Sequence, residues 1–600
     1  MCGIAGIAHW SGRDFGSPLK SMVSSLRHRG PDGQGFYSSE GVELGHSRLS
    51  IVDLDGGAQP MLSVGNRFCV TFNGEIYGYE RIKKRVNYPY QSSSDTEVLL
   101  ALYQAYGANM VEALPGMFAF AIWDSDQKTL FCARDRFGEK PFYYALGENN
   151  EFIFASEIKA IIASGLVTPE IDPGSVTHFL RKLYVNPGRT IYKNIHTLNP
   201  GCYLQVTESG IVERLYWDFP ETNGVVSIDN AVEELECKLG RAIKDQLVAD
   251  VPVGAFLSGG LDSSSIVASA VHQKPDLMTL SYRFRKEFDE GSYAKEVSDL
   301  YGTQHIEMFE GDFSLRDTLL LLSEVYDEPF ADSSSVPTYL ICKEARKHCK
   351  VVLTGDGADE LFGGYAWKYR PFHFQLGVKD DKPLRLLAGF LVNKLLAKLP
   401  NSQQFSHRAV AYKNEFSGKS LRQSMDELYV MFSDGELSDL GLRIPEVHGG
   451  PRFSDFNEVL KEDMSDYMAG DILVKTDRAS MANGLELRSP FLDWELAEYV
   501  MSLPGRMKVD ARNDKILLRE TFGNKLPVSV KNRSKQGFGS PISKWLALPE
   551  MVEAKDYYFS GERRISKYLD MKSVSKFKDY DDERTWSLLL FSMWCETWEA

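Results

Sequence analysis

The stretch VPVGAFLSGGLDSSSIVASAV, Val251–Val271, decides how the larger part of this chain is read. An apolar β-like run, VPVGAFLS (251–258), meets two glycines, and IVASAVH (266–272) follows with the content of a buried helix. SGGLDSSS (258–265) therefore occupies a strand-to-helix turn. Glycines there let backbone N–H groups approach an anion, and the helix N-terminus adds positive potential. The turn reads as a phosphate cradle, although neither GxxxxGK(S/T) nor GxGxxG is present. Asp262 inside it would repel a phosphate unless a cation bridged the two, which points to Mg²⁺.

Working outward, LMTLSYRF (277–284) and KVVLTG (350–355) are further β runs between helical stretches. That alternation predicts a parallel sheet with helices on both faces. TGDGADELFGGY (354–365) is a second acidic turn after such a run and groups Asp356, Asp359 and Glu360. Loops at the carboxyl ends of parallel strands converge on one crevice, so Asp262 and Asp359 are natural ligands for a shared metal ion. KNRSKQGFGSP (531–541) is a basic loop before an aromatic-rich helix, and Lys535 is its lysine best placed to steady charge developing on a phosphate. The segment 366–460 yields no assignable chemistry.

Before about Val206 the pattern changes to short β runs with turn punctuation. MFAFAIWD (117–124), the turn SDQK and TLFCARD (129–135) read as a hairpin in an antiparallel, sheet-rich domain. PETNGVVS (220–227) is polar and turn-forming, giving domains over 2–212 and 225–600.

The chain opens MCGIAGI, and Gly3, Gly6, His9 and Trp10 interrupt any signal-peptide run. Removal of Met1 would leave Cys2 with a thiol and a free amine on one residue. The amine, with a reference pKa near ~7.7–8.0, can take the proton of a thiol near ~8.5. Such a thiolate can attack a carboxamide to give a thioester and release ammonia. Its oxyanion needs donors, and TFNGEIYG (71–78) offers the Asn73 side-chain NH₂ and the Gly74 N–H. Taken singly the neighbouring motifs are bland. Asn73-Gly74 fits a hairpin turn, RHRGPDG (27–33) a basic turn, SRLSIVD (47–53) an edge strand exposing Arg48, and SSDTEV (93–98) a helix start capped by Asp95.

Composition narrows the function classes. Against 83 Asp and Glu there are 68 Lys and Arg, and the net charge of -15 argues against nucleic acid as a partner. The longest suspicious apolar run, Leu386–Val392, is far shorter than the ~20 residues of a bilayer-spanning helix. Eight cysteines without CxxC pairs predict reduced thiols and a cytoplasmic location. Cys69, Cys132 and Cys202 lie in apolar strand-like runs as small buried hydrophobes.

The order of these motifs carries a resemblance. MCGIAGI, RHRGPDG, GHSRLSIVD, AQPM, FNGEIY, SDTEV, LPGMFAFAIWD and RDRFGEKPFYY resemble, in sequence, the class II glutamine amidotransferase domain. SGGLDSS resembles the pyrophosphate-releasing ATP loop of adenylylating enzymes. With FDEGSYA, DEPFADSS, TGDGADELFGGY, VKTDRASMANGLELRSPFLD and RSKQGF it is similar to the synthetase domain of glutamine-hydrolysing asparagine synthetases.

The resemblance implies an α+β N-terminal-nucleophile sandwich of antiparallel sheets, followed by an α/β domain whose parallel sheet is flanked by helices. It implies glutamine and ATP as substrates, Mg²⁺, a homodimer and an internal ammonia channel. Cys2 would be the glutaminase nucleophile, with Asn73 and Gly74 beside the glutamine. Arg48 would pair with the glutamine α-carboxylate near the Ile51 and Val52 backbone, and Glu75 and Asp95 would take its α-ammonium. Leu257 and Tyr282 would flank adenine, while Ser258, Gly259, Gly260, Asp262 and Ser263 would form the ATP loop. Thr354 and Gly355 would add a further nucleotide contact, and Lys535 would stabilise departing pyrophosphate. Family members that make asparagine commonly carry Glu at Asp356. The acceptor is accordingly aspartate or, with a base one methylene shorter, another acid such as a sugar uronic acid or a peptidyl carboxylate.

Overall fold

The structure is a computed structural model that describes residues 2–10, 13–224, 226–283, 290–365, 368–369, 430–444, 453, 455–510, 512–533, 540–561 and 563–598. Two six-stranded antiparallel sheets face each other in the first part of the chain. One runs Ile195–Thr197, Tyr143–Leu146, Phe152–Ala155, Gly3–Ala8, Val42–Arg48, Gly33–Ser39 from edge to edge. The other runs Gly210–Leu215, Cys202–Thr207, Thr129–Arg134, Met117–Asp124, Phe68–Glu75, Met61–Leu62.

Strand alternation explains why both are sandwiched. In Met117–Asp124 every residue is buried: Ala119, Ala121 and Trp123 face the opposite sheet, while Phe118, Phe120 and Ile122 face helix Thr96–Tyr106. Gly3–Ala8 divides in the same way. Ile4 and Ala8 point between the sheets, and Ala5 and Ile7 point to helix Gly16–Ser25, which buries Leu19, Met22 and Val23. The hairpin predicted over 117–135 is present, with Asp124 paired to Thr129.

Strand Gly210–Leu215 ends this unit as a sheet edge, and the Ser227 hydroxyl accepts from the Asn230 N–H to cap helix Ile228–Gln246. Beyond it lies a five-stranded parallel sheet in the order Gln304–Phe309, Met278–Arg283, Val253–Phe256, Val351–Leu353, Glu486–Arg488. One face packs on helices that include Ile228–Gln246 and Leu261–Ala270, and the other on Ser335–Ala345. Both faces are covered, which is why these strands read as continuous apolar runs. A small cluster joins the units: Leu49, Ile51, Tyr77 and Met117 from the first meet Val253, Val351 and Met481 from the second. Among the described residues no helix is long and apolar enough to cross a membrane.

Candidate functional sites

Cys2 enters the central strand Gly3–Ala8 and is buried. Its N–H donates to Asn73 Oδ1 at 2.9 Å, its carbonyl accepts from Arg29 Nε at 3.0 Å, and its Sγ lies 3.9 Å from the Leu49 carbonyl oxygen. Burial pushes the thiol above its ordinary value, so ionising it requires a base at hand. Asn73 and Gly74 form no turn. They sit inside strand Phe68–Glu75, paired with Ala119 and Phe118, because the flanking apolar residues fit the alternation of a buried strand. Asn73 is wholly buried, and among the described residues its Nδ2 has no hydrogen-bond partner. An orphaned buried donor costs about 1–3 kcal/mol, which fits a group reserved for a ligand oxygen.

Asp95 precedes helix Thr96–Tyr106 without a side-chain cap bond to it. Its Oδ2 instead accepts from the Ile76 N–H at 2.9 Å, tying the helix start to the end of the Asn73 strand. Burial raises the Asp95 carboxyl to about 6. Glu75 is raised well above the usual carboxylate range by burial and the nearby Glu486, against the pull of Arg488, which is 3.4 Å away. Arg48 donates to the carbonyls of Leu54 at 2.9 Å and Asp53 at 2.6 Å, so its guanidinium braces the loop after Ile51 and Val52. The Ile51 carbonyl accepts from the Asp250 N–H, at 2.9 Å, across the boundary between the units.

At the carboxyl ends of the parallel strands lies a cleft of ≈ 1670 Å³. Its walls include Leu257, Ser258, Gly260, Asp262, Ser263, Tyr282, Thr354, Gly355, Asp356 and Asp359. Asp262 stands in the first turn of helix Leu261–Ala270. The Ser258 and Ser263 hydroxyls are 3.1 Å apart, and the Ser258 N–H donates to Ser263 Oγ at 3.2 Å, so the loop is held shut before any anion arrives. Gly259 does not line the cleft. It has φ +69°, and a Cβ there would fall 2.4 Å from Tyr293 Cβ, so its role is to let the loop pack on helix Gly291–Tyr301.

Asp262 and Asp359 converge on one point, occupied by Lys515 Nζ at 2.5 and 2.6 Å. Burial works against that charge, but the two carboxylates hold Lys515 well above its ordinary value. A Cβ on Gly364 would lie 2.0 Å from Lys515 Cε, so the lysine reaches this point only past a glycine. Asp356 Oδ2 accepts from Thr354 Oγ1 at 2.8 Å, and burial raises its carboxyl. Lys475 pairs with Asp332 at 2.7 Å; burial opposes the Asp332 charge, yet Lys475 and the Ser334 donors hold it down to about 2. Lys535 lies outside the described residues, as do Phe288 and Asp289 of the FDEGSYA motif.

Residues 234–598 match the asparagine synthase family, and residues 1–217 match the glutamine amidotransferase domain. The chain belongs to the glutamine-hydrolysing asparagine synthetase family. Asparagine synthetase (glutamine-hydrolyzing) 1 of Bacillus subtilis is 31% identical, covering 99% of this chain and 96% of its own. Asparagine synthetase (glutamine-hydrolyzing) 3 of the same organism is 30% identical over 91% of this chain and 89% of its own. Amidase chry2 of Gibberella zeae is also 30% identical, over 88% of this chain and 85% of its own. As a member of this family the protein is a glutamine-dependent carbon–nitrogen ligase of the asparagine synthase type.

Several residues of this synthetase-type chain escape a linear reading. Arg29, in the motif taken for a basic turn, is wholly buried; it donates to both oxygens of Asp477 at 2.8 and 2.9 Å and to Glu157 at 2.9 Å. Lys475, Asp477 and Arg478 share helix Leu473–Met481, and Glu486 and Arg488 follow on the last strand. The available signal was charge density: VKTDRASMANGLELR places five charged residues in one stretch that also carries core apolar positions. Such residues are buried only when paired.

Proposed function

We propose that the two centres divide the reaction. With Met1 removed, the Cys2 amine accepts the thiol proton and the thiolate attacks the side-chain carboxamide carbon of glutamine. The oxyanion is held by Asn73 Nδ2 and the Gly74 N–H, the C–N bond breaks, and ammonia leaves with a proton. Water then cleaves the Cys2 thioester to glutamate. Arg48, with the Ile51–Val52 backbone, takes the α-carboxylate, and Glu75 and Asp95 take the α-ammonium. The observation that carries this half is Asn73, bonded to the Cys2 N–H, whose Nδ2 has no partner among the described residues.

In the cleft, Leu257 and Tyr282 flank the adenine, the Ser258–Ser263 loop receives the phosphates, and Thr354 and Gly355 add a contact. An acceptor carboxylate oxygen attacks the α-phosphorus of ATP, and the bond to pyrophosphate breaks. Lys535 steadies the charge that develops on departing pyrophosphate, and Lys515, whose ammonium lies between Asp262 and Asp359, is a second cation for that charge. Among the described residues no three His, Cys, Asp or Glu side chains cluster as a metal cage. Lys515 Nζ stands at the point where the two carboxylates converge, so Mg²⁺, ordinarily held by one or two carboxylates plus substrate phosphates, would share Asp262 and Asp359 with that ammonium. Asp262 and Asp359 would hold the ion, which when bound supplies positive charge to the phosphate oxygens. Ammonia then attacks the acyl-adenylate carbon, Asp356 accepts a proton, and AMP departs.

Aspartate is the acceptor we propose, giving asparagine. A second reading, the same chemistry on another acid such as a sugar uronic acid or a peptidyl carboxylate, is favoured by Asp356, one methylene shorter than the Glu common at this position in family members that make asparagine. The test is an acceptor screen with glutamine and ATP, read by pyrophosphate release and product mass. Cys2→Ala is assayed in parallel: it abolishes glutamine-driven synthesis and spares synthesis from ammonium. Loss of both activities sinks the division of labour.

A further inference from the structure

Strand Glu486–Arg488 is the edge of the parallel sheet and so belongs to the ligase unit, yet its charged side chains reach the glutaminase centre. Arg488 lies 3.4 Å from Glu75 and 2.7 Å from Glu486. Its Nη1 donates to the carbonyls of Gln246 and Val248 at 2.6 and 2.8 Å, and it is 1% exposed. Backbone acceptors therefore fix the guanidinium in place before any glutamine binds.

The charged groups facing Glu75 come from separate elements: Asp95 from the helix start, and Glu486 and Arg488 from the edge strand. Tyr77, from the segment following Glu75, lies 6.0 Å below the Arg488 guanidinium. Three carboxylates thus share one buried guanidinium. Burial and the neighbouring carboxylates push the Glu75 carboxyl up while Arg488 draws it down, and a neutral carboxyl pairs poorly with an ammonium. At 3.4 Å the Arg488–Glu75 contact is longer than a good hydrogen bond, so the guanidinium supplies charge without occupying a carboxylate lone pair.

We propose that Arg488 is a positioning residue for glutamine: a guanidinium held by the ligase unit orients Glu75 for the substrate ammonium, so that the glutaminase centre is complete only when both units are assembled. This rests on the reading of Cys2 as a glutaminase nucleophile. The same residue also touches the cleft, since its carbonyl accepts from the Thr354 N–H at 2.8 Å and Thr354 in turn holds Asp356.

The test is glutamate release from glutamine by the full chain between about pH 5.5 and 9, for wild type, R488Q, R488K, E486Q and C2A. For R488Q the glutamine KM rises about tenfold or more with kcat changed less than about threefold. The acidic limb of its kcat/KM profile moves up by about one pH unit. R488K, which keeps the charge, restores the limb, and E486Q, which removes a repelling carboxylate, moves it down. A wild-type limb and KM in R488Q overturns the proposal, as does a loss confined to kcat. Should R488Q fail to fold, an unmoved limb in E486Q overturns it equally. Failure of the underlying reading looks different: wild type would release no glutamate, or C2A would release as much as wild type.

Discussion

Replacing Lys515 by Met removes a buried ammonium from between two carboxylates while keeping the length of the side chain. The Nζ lies 2.5 Å from Asp262 and 2.6 Å from Asp359. Unit charges about 3 Å apart attract by about 5 kcal/mol each at an effective dielectric constant near 20. Their loss also leaves Asp262 and Asp359 repelling across the gap. Because removing one partner of a buried ion pair costs about 3–5 kcal/mol, K515M should be clearly less heat-stable than wild type without divalent cation. It should also recover more stability than wild type on adding Mg²⁺, whose charge substitutes for the lost one. Catalytically, a preorganised charge at the departing pyrophosphate is worth about 10²–10³ in rate. K515M should therefore lose acceptor-dependent pyrophosphate release by that factor while glutamine hydrolysis at Cys2 persists. The assays are thermal unfolding across a Mg²⁺ titration and pyrophosphate release with saturating ammonium. Pyrophosphate release within about threefold of wild type refutes the assignment of Lys515, and an unfolding midpoint equally sensitive to Mg²⁺ in both proteins refutes the electrostatic account.

Asn73→Ala removes the orphaned donor beside Cys2 and should lower glutamine hydrolysis by about 10²–10³ with ammonium-driven synthesis intact, as steady-state assays of the two activities will show. Asp477→Ala leaves the buried Arg29 with Glu157 as its one remaining carboxylate among the described residues and should destabilise the fold by about 3–5 kcal/mol, read as a lower chemical-denaturation midpoint. Glu328 is raised to about 8 by burial and by Asp327. A carboxyl whose folded value exceeds its unfolded one favours the fold only while neutral, so its penalty is absent below about pH 4.5 and grows until about pH 8. Glu328→Gln should therefore melt higher than wild type at pH 8.5 and alike at pH 4.5, in matched thermal scans.

The two fold classes were legible because each has a period. Alternation in Met117–Asp124 placed alternate residues on two faces, and the strand, glycine turn and helix of Val253–Ala270 repeated the unit of a parallel sheet. The candidate residues in short, ordered motifs were legible too: Cys2, Asn73 and Asp95 assemble within one centre, and Asp262, Thr354, Asp356 and Asp359 within one cleft. Local habits misled where they competed with tertiary context, as when Asn73-Gly74 invited a turn and the structure made a strand interior.

What the sequence by itself determined is the chemistry available: a thiol beside the amino end, a glycine-rich anion loop and acidic turns at the ends of apolar strands. Only the tertiary structure decided which charges meet. Arg29 is 448 residues from Asp477 and Lys515 is 253 from Asp262, separations over which no periodicity or local propensity carries information. A buried ion pair is selected by the geometry of packing, because desolvating a charge is tolerable only where its partner arrives from another part of the chain.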